Sequence, residues 1–301
     1  MKHWIQAARL RTLPLSLSGI IVGSGYAYYQ GFSNYKILIL AFLTTLGLQI
    51  LSNYANDYGD GVKGTDANRI GEKRMVAAGV ISAKQMKTAV ISVMIITFLL
   101  ALLLIYVAFG KENFALSLIF ILLGIGSIGA AIKYTVGSNA YGYNGLGDLF
   151  VFIFFGLVSV IGSNFLFTKM IDWKLFLPAI TIGLLSVAVL NLNNMRDIEN
   201  DKMAGKMTLV VKMGLEKAKI YHQSLLVIAS LIFLIFNIVT KTSFVPIIVV
   251  NIFLIIHISK IKKSISYEDF DPELKKVALS TFALSVLFWL TFFFSKLTTN
   301  F

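Results

Sequence analysis

An all-α, polytopic membrane protein is predicted by three observations. Hydrophobic residues make up 57% of the 301 and charged residues only 14%. The apolar residues are gathered into runs long enough to cross a bilayer. Two groups of carboxylates stand together at the ends of such runs, where a charged side chain placed at the bilayer centre would cost about 2.5–3.5 kcal/mol even on the mildest scale.

In order along the chain, spanning stretches are read at about residues 13–30, 36–57, 86–109, 114–135, 145–168, 174–197, 218–239, 243–260 and 274–295. Lys2, Arg9 and Arg11 precede the first run as in a signal peptide, but no small-residue cleavage site follows, so a retained helix is expected. The nine helices form one membrane domain, residues 1–301, arranged as two four-helix halves plus a ninth helix around a central cavity. An odd number of crossings puts the termini on opposite sides. Of the 27 Lys and Arg, all but Lys36, Lys111, Lys169, Lys174, Lys241 and Lys296 fall in the N-terminal segment and the connections after even-numbered helices. The rich side is expected to be cytoplasmic, which puts the N-terminus and both acidic motifs in the cytoplasm and the C-terminus outside the cell membrane.

The same asymmetry accounts for much of the net charge of +12. No nucleic-acid module is visible, so the basic balance reads as topology signal and contact with the lipid bilayer rather than as an RNA or DNA footprint. The chain has no cysteine, which removes disulfide and thiolate chemistry. His3, His222 and His257 lack ligand spacing and are expected to be structural.

The first acidic motif holds Asn53, Asn56, Asp57 and Asp60, with Asp66 beyond; the second holds Asn193, Asn194, Asp197 and Asp201. Each closes an even-numbered helix, has an Asn four residues before its leading Asp and leads into a basic loop. On a continuous helix Asn53, Asp57 and Asp60, and likewise Asn193, Asp197 and Asp201, would share one face. Clustered carboxylates repel unless cations intervene, and an all-oxygen set suits Mg²⁺, which binds through a few carboxylates together with phosphate oxygens. With Lys63, Arg69, Lys73, Arg74, Lys202, Lys206 and Lys212 nearby, the site is equipped for a diphosphate whose other end is apolar. A helix-end cap of solvated aspartates is the plainer reading of either motif alone.

The residues Leu51-Ser-Asn-Tyr-Ala-Asn-Asp-Tyr-Gly-Asp60, Val62-Lys-Gly-Thr-Asp66, Arg69-Ile-Gly71, Tyr134-Thr-Val-Gly137, Tyr141-Gly-Tyr-Asn-Gly-Leu-Gly-Asp148, Asn191-Leu-Asn-Asn-Met-Arg-Asp197 and Gly205-Lys206 resemble the UbiA-type intramembrane prenyltransferases. The closest likeness within that family is to its 1,4-dihydroxy-2-naphthoate branch. The resemblance runs from Arg11-Thr-Leu-Pro14 to at least Gly214. It implies polyprenyl diphosphate and 1,4-dihydroxy-2-naphthoate as substrates and Mg²⁺ as cofactor. Asp57, Asp60, Asp197 and Asp201 would hold the metal, with Asn53 and Asn193 in support, and Lys63, Arg69, Arg196, Lys202 and Lys206 would contact diphosphate. Tyr134 would lie near the reacting centre or else belong to an interfacial belt. Asp148 would cap its helix or orient the acceptor, for which Arg11, Asn139 and Tyr143 are the other candidates. Ser138-Asn139-Ala140 departs from the family, which often places a basic residue or proline there. Tyr267 to Glu273 reads as a solvated turn.

Two other classes are weighed. A CDP-alcohol phosphotransferase also begins Asp-x-x-Asp-Gly, but Val62-Lys-Gly follows here and the second Asp pair comes four helices later. An ion-coupled transporter would place carboxylates at mid-membrane in helices broken by Gly and Pro. Within the prenyltransferases, 4-hydroxybenzoate or homogentisate is the alternative acceptor.

Overall fold

Backbone amides in hydrocarbon must be satisfied within their own segment, so runs this apolar close their hydrogen bonds as helices. In the computed structural model, which describes residues 1–65 and 71–299 with side chains as far as Ser295, every regular element among the described residues is helical. Asp66 and Arg69 lie outside the described residues. The long helices are α1 (Leu13–Tyr29), α2 (Tyr35–Lys63), α3 (Ala83–Phe109), α4 (Phe114–Lys133), α5 (Gly147–Thr168), α6 (Phe176–Arg196), α7 (Leu215–Thr240), α8 (Val245–Lys263) and α9 (Phe270–Thr299). Eight of them, α2 to α9, are long and apolar enough to cross a membrane; α1 has 17 residues.

Two boundaries differ from expectation in ways that shape the site. α2 was expected to end near residue 57 but runs to Lys63, where Gly64 closes it at φ 74°, so Asp60 sits on the last full turn. α6 stops at Arg196. Asp197 adopts φ −97° and ψ 8°, and Asp201 belongs to a separate short helix, Ile198–Met203. The expected single stripe through Asn193, Asp197 and Asp201 is therefore broken, because the chain turns at Asp197 instead of continuing the helix.

α6 is the central post. Of its apolar window 72% is buried, against 11–39% for the other candidate spans, and it packs on α5, α7 and α9. The approach to α5 is close enough that a Cβ on Gly156 would stand 2.6 Å from the Ala179 carbonyl and 2.8 Å from the Gly183 Cα. Dispersion and close backbone approach, rather than a hydrophobic drive, hold helices together in lipid, so small residues at such a crossing matter. The middle of α5, Phe152–Gly162, is wound as a π-helix, a rare wide form that recurs at functional sites.

The last three helices are joined by polar groups that sequence reading left as scattered. His222 of α7 and His257 of α8 meet at 2.8 Å through their Nε2 atoms, and His257 Nδ1 lies 2.7 Å from Glu273 of α9. Lys260 and Lys276 close on the other Glu273 oxygen at 2.8 and 2.7 Å. The segment Tyr267–Glu273 is therefore not simply a solvated turn: Glu273 is fully buried, and its charge is matched by the two ammonium groups.

The Gly156–Gly183 crossing generates a test. Gly156→Leu should lower the thermal midpoint of the purified protein in detergent, at the about 1–3 kcal/mol typical of overpacking. Gly126→Ala, where an added Cβ meets nothing within 4 Å, should leave the midpoint unchanged.

Candidate active site

The two acidic motifs come together at one end of the bundle. Lys206, three residues past the second motif's short helix Ile198–Met203, is buried and places Nζ 3.7 Å from Asp60 and 3.6 Å from Asp201. One carboxylate from each motif thus shares one ammonium. Arg74 adds a second cation to Asp60 at 3.9 Å. Tyr143 donates to the other Asp60 oxygen at 2.8 Å and shares a 2.6 Å hydrogen bond with Thr65. Burial, with the Asp60 charge beside it, raises the Tyr143 phenol well above the usual tyrosine range, so it stays protonated and donates. Lys63 lies 3.9 Å over the Tyr143 ring and donates to the Thr135 carbonyl at 2.7 Å.

Asp57 does different work. Its two oxygens accept from the backbone amides of Met75 at 3.0 Å and Val76 at 2.9 Å. The charge-assisted bonds fasten the segment after the loop to α2 and so set the position of Arg74. Asn53, one turn earlier, donates to the Ala8 carbonyl at 2.8 Å and to Thr12 at 3.1 Å, tying the N-terminal turn to the same helix.

The second motif is organised by Arg196. Its fully buried guanidinium grips Asp197 through Nε–Oδ1 and Nη2–Oδ2, both 2.8 Å. Nη2 also reaches Asn193 Oδ1 at 2.8 Å, and Nη1 donates to Asp271 at the start of α9. Gly71 is seated against this group: at φ 99° it has no Cβ to place 3.1 Å from the guanidinium atoms. Asp271 in turn accepts from Arg11 at 3.4 Å, and Arg11 Nε meets Glu72 at 3.1 Å.

A cavity of about 720 Å³ opens from this charged end into the bundle. Asn53, Asn56, Asp60, Arg74, Asn193 and Lys206 line its polar end; its body is apolar and aromatic, with Phe120, Phe154, Phe155 and Phe165 among the lining residues. Tyr134 and Tyr141 stand at the junction, edge to face with centroids 5.3 Å apart, and Tyr141 stacks on Phe150 at 4.0 Å.

Of the residues singled out from sequence, Asn53, Asp60, Tyr134, Asn193 and Lys206 are in the cavity wall, while Asp57, Asp197 and Asp201 are buried and do not line it. Among the acceptor candidates, Tyr143 is on Asp60, Asp148 accepts from Tyr221 at 3.0 Å and Arg11 is engaged by Glu72 and Asp271; none of the three, nor exposed Asn139, belongs to the wall. Lys202 is exposed. Arg74 and Asp271 are the residues sequence reading passed over. Arg74 was one of several cations in a basic loop, and nothing in the spacing separated it from its neighbours. Asp271 is distant in sequence from Arg196, and no local pattern pairs them.

The chain matches the UbiA prenyltransferase family over residues 16–274. It belongs to that family. Curated relatives include the 1,4-dihydroxy-2-naphthoate octaprenyltransferases of Haemophilus influenzae, 48% identical over 81% of this chain and 79% of the relative, and of Escherichia coli, 46% identical over 78% and 76%. The fold matches solved UbiA homologues: the apo protein of Aeropyrum pernix K1 with TM-score 0.71 at 15% identity, covering 96% of this chain and 99% of that one, and the Archaeoglobus fulgidus protein bound to GPP and Mg²⁺ with TM-score 0.69 at 16% identity, covering 97% and 98%.

Do the residues present fit a divalent cation? Among the described residues no three His, Cys, Asp or Glu side chains are gathered into a ready-made metal site. The donor chemistry nevertheless fits: the carboxylates are oxygen donors of the kind Mg²⁺ takes, and the Lys206 ammonium between Asp60 and Asp201 marks a position where the two motifs jointly stabilise positive charge.

Removing the cation that organises the second motif should be costly. Arg196→Met removes the guanidinium paired with buried Asp197, and the loss expected on breaking a buried pair is about 3–5 kcal/mol. Thermal unfolding in detergent checks it: Arg196→Met should melt well below the wild type, with Arg196→Lys in between.

Proposed function

We propose that the protein transfers a polyprenyl group from polyprenyl diphosphate to 1,4-dihydroxy-2-naphthoate, releasing diphosphate and CO₂ and giving demethylmenaquinol, the reduced form of demethylmenaquinone. The observation that carries this reading is the two-ended cavity, charged where both Asp motifs meet and apolar and aromatic beyond, in a chain nearly half identical to naphthoate prenyltransferases.

Asp57, Asp60, Asp197 and Asp201 are the residues that would hold Mg²⁺, which supplies neutralisation of the charge that develops on the leaving diphosphate. Arg74 and Lys206, already at the cavity wall, would meet the phosphate oxygens and stabilise the same charge from fixed positions. Asp57 acts here in part through the backbone it fastens, since that segment carries Arg74. As the allylic C–O bond breaks, the Tyr134 and Tyr141 rings face the cationic carbon and the apolar body excludes water from it. The electron-rich ring attacks that carbon, and departure of the ring carboxylate as CO₂ restores aromaticity. No side chain needs to form a covalent bond. Diphosphate enters from the charged end, and the prenyl tail occupies the apolar body.

The membrane arrangement follows from the same features. α1, 17 residues or about 25 Å long, is at the short end of spanning length. Counting it gives nine crossings, with both motifs and the N-terminus in the cytoplasm and the C-terminus outside. The uneven Lys and Arg distribution supports this orientation, as does the water-soluble nature of the diphosphate product.

Three measurements test the reading. In this cysteine-free chain, cysteines at Lys73 and Lys111 should react with impermeant reagents from opposite sides of sealed vesicles; labelling of both from one side contradicts the topology. Asp57→Asn, Asp60→Asn, Asp197→Asn and Asp201→Asn should each lower turnover by about 100-fold or more, the scale for lost transition-state charge stabilisation, whereas exposed Glu268→Gln should not. Purified protein given Mg²⁺ and a polyprenyl diphosphate should consume 1,4-dihydroxy-2-naphthoate with stoichiometric CO₂ and leave 4-hydroxybenzoate largely untouched. Prenylation of 4-hydroxybenzoate with its carboxylate retained would overturn the acceptor assignment alone.

A further inference from the structure

We propose that Asp271, at the start of α9, is a positioning residue for the second motif: it is the reserve counter-ion of Arg196, and by holding that guanidinium it allows Asp197 to leave for the metal–diphosphate complex. The proposal rests on the metal reading given above and names a residue outside both acidic motifs.

The geometry poses a problem that Asp271 solves. Both oxygens of Asp197 are engaged by Arg196, at 2.8 Å each, and Asp197 does not line the cavity, so turning the carboxylate toward a metal there loosens at least one of those bonds. The Arg196 side chain is fully buried. Withdrawing its acid would leave a guanidinium in a low-dielectric interior without a compensating charge, which is strongly unfavourable. Asp271 already accepts from the third nitrogen, Nη1, and Asn193 Oδ1 shares Nη2 at 2.8 Å. When Asp197 lets go, the guanidinium keeps an ionised partner and two hydrogen bonds.

Asp271 is suited to that duty because it is itself held. Its second oxygen faces Arg11 at 3.4 Å, and Arg11 Nε faces Glu72 at 3.1 Å. Charges therefore alternate outward from the buried Arg196 to side chains about a third exposed: Asp271 31%, Arg11 29% and Glu72 35%. Gly71 lies against the guanidinium, where a Cβ would stand 3.1 Å from it. The last helix, which carries neither acidic motif, thereby contributes a charge to the readiness of the second one. A purely mechanical tie between α6 and α9 would need no negative charge at this position, and that difference can be measured.

The test titrates Mg²⁺ into the full-length protein in detergent with inorganic diphosphate present, by calorimetry, beside the Mg²⁺ dependence of prenyl transfer. For Asp271→Asn, the Mg²⁺ midpoint should rise about tenfold or more, the range seen when groups supporting metal ligands are removed, while turnover at saturating Mg²⁺ stays within about threefold of the wild type. Asp271→Glu keeps the charge and should bind Mg²⁺ near the wild-type midpoint. An unchanged Mg²⁺ midpoint in Asp271→Asn, or an equal fall in turnover at every Mg²⁺ concentration, makes Asp271 a structural tie and overturns the proposal; so does Asp271→Glu if it is as weak as Asp271→Asn. The binding arm requires no aromatic acceptor, so a wild type that binds Mg²⁺ with diphosphate yet ignores the naphthoate fails only the acceptor assignment. A wild type that binds no Mg²⁺ with diphosphate overturns the metal reading and this proposal together.

Discussion

Compensation of buried charge at the mouth of the cavity is the constraint on which the site's architecture depends. Asp57, Asp60, Asp197, Asp201, Arg196 and Lys206 are all buried in a chain whose surroundings are mostly apolar, and each ion there must find a partner or forfeit several kcal/mol. The solutions are specific. Asp57 takes two backbone amides, Asp60 takes Arg74, Lys206 and a tyrosine hydroxyl, and Asp197 takes a two-pronged arginine. These bonds draw α2, the Lys206 segment, the end of α6, the start of α9 and the N-terminal turn to one place. The positive and negative groups at the mouth thereby hold one another in place.

The opposite end of the same cavity follows from packing rather than charge. α6 occupies the bundle centre because small residues let α5 approach it closely, and the π-helical turn of α5 lends several residues to the cavity wall. Phenylalanines from α4 and α5 supply the remaining aromatic surface. An apolar chamber joined to a charged mouth suits a substrate with one hydrophobic and one anionic end, and Tyr134 and Tyr141 stand where the two ends of such a molecule meet.

Residue pairing was legible in part. Asp57 and Asp60 were grouped from their spacing, and α2 does carry both, yet the structure gives them different partners: Asp57 meets the backbone of Met75 and Val76, and Asp60 meets Tyr143, Arg74 and Lys206. Asp197 and Asp201 were expected to share a helix face, but the turn at Asp197 separates them, with Asp201 reaching the first motif through Lys206. His222 and His257 look unrelated in sequence and are hydrogen-bonded in space. Periodicity reports which face a residue takes on an unbroken helix; it does not report where the helix ends.

The sequence by itself determined the class of protein, the place of each long helix along the chain and the two acidic motifs. These are local properties: hydrophobic run length fixes a spanning helix, and the type and spacing of side chains fix what they can coordinate. Tertiary structure alone decided which cation neutralises which acid. It brought Asp271 to Arg196 across 75 residues and Lys206 to Asp60 from the other motif, and it set Arg74 rather than another lysine or arginine of its loop beside Asp60. Coulombic and hydrogen-bond partners are chosen by distance in the folded bundle, and that distance depends on how helices far apart in the chain pack.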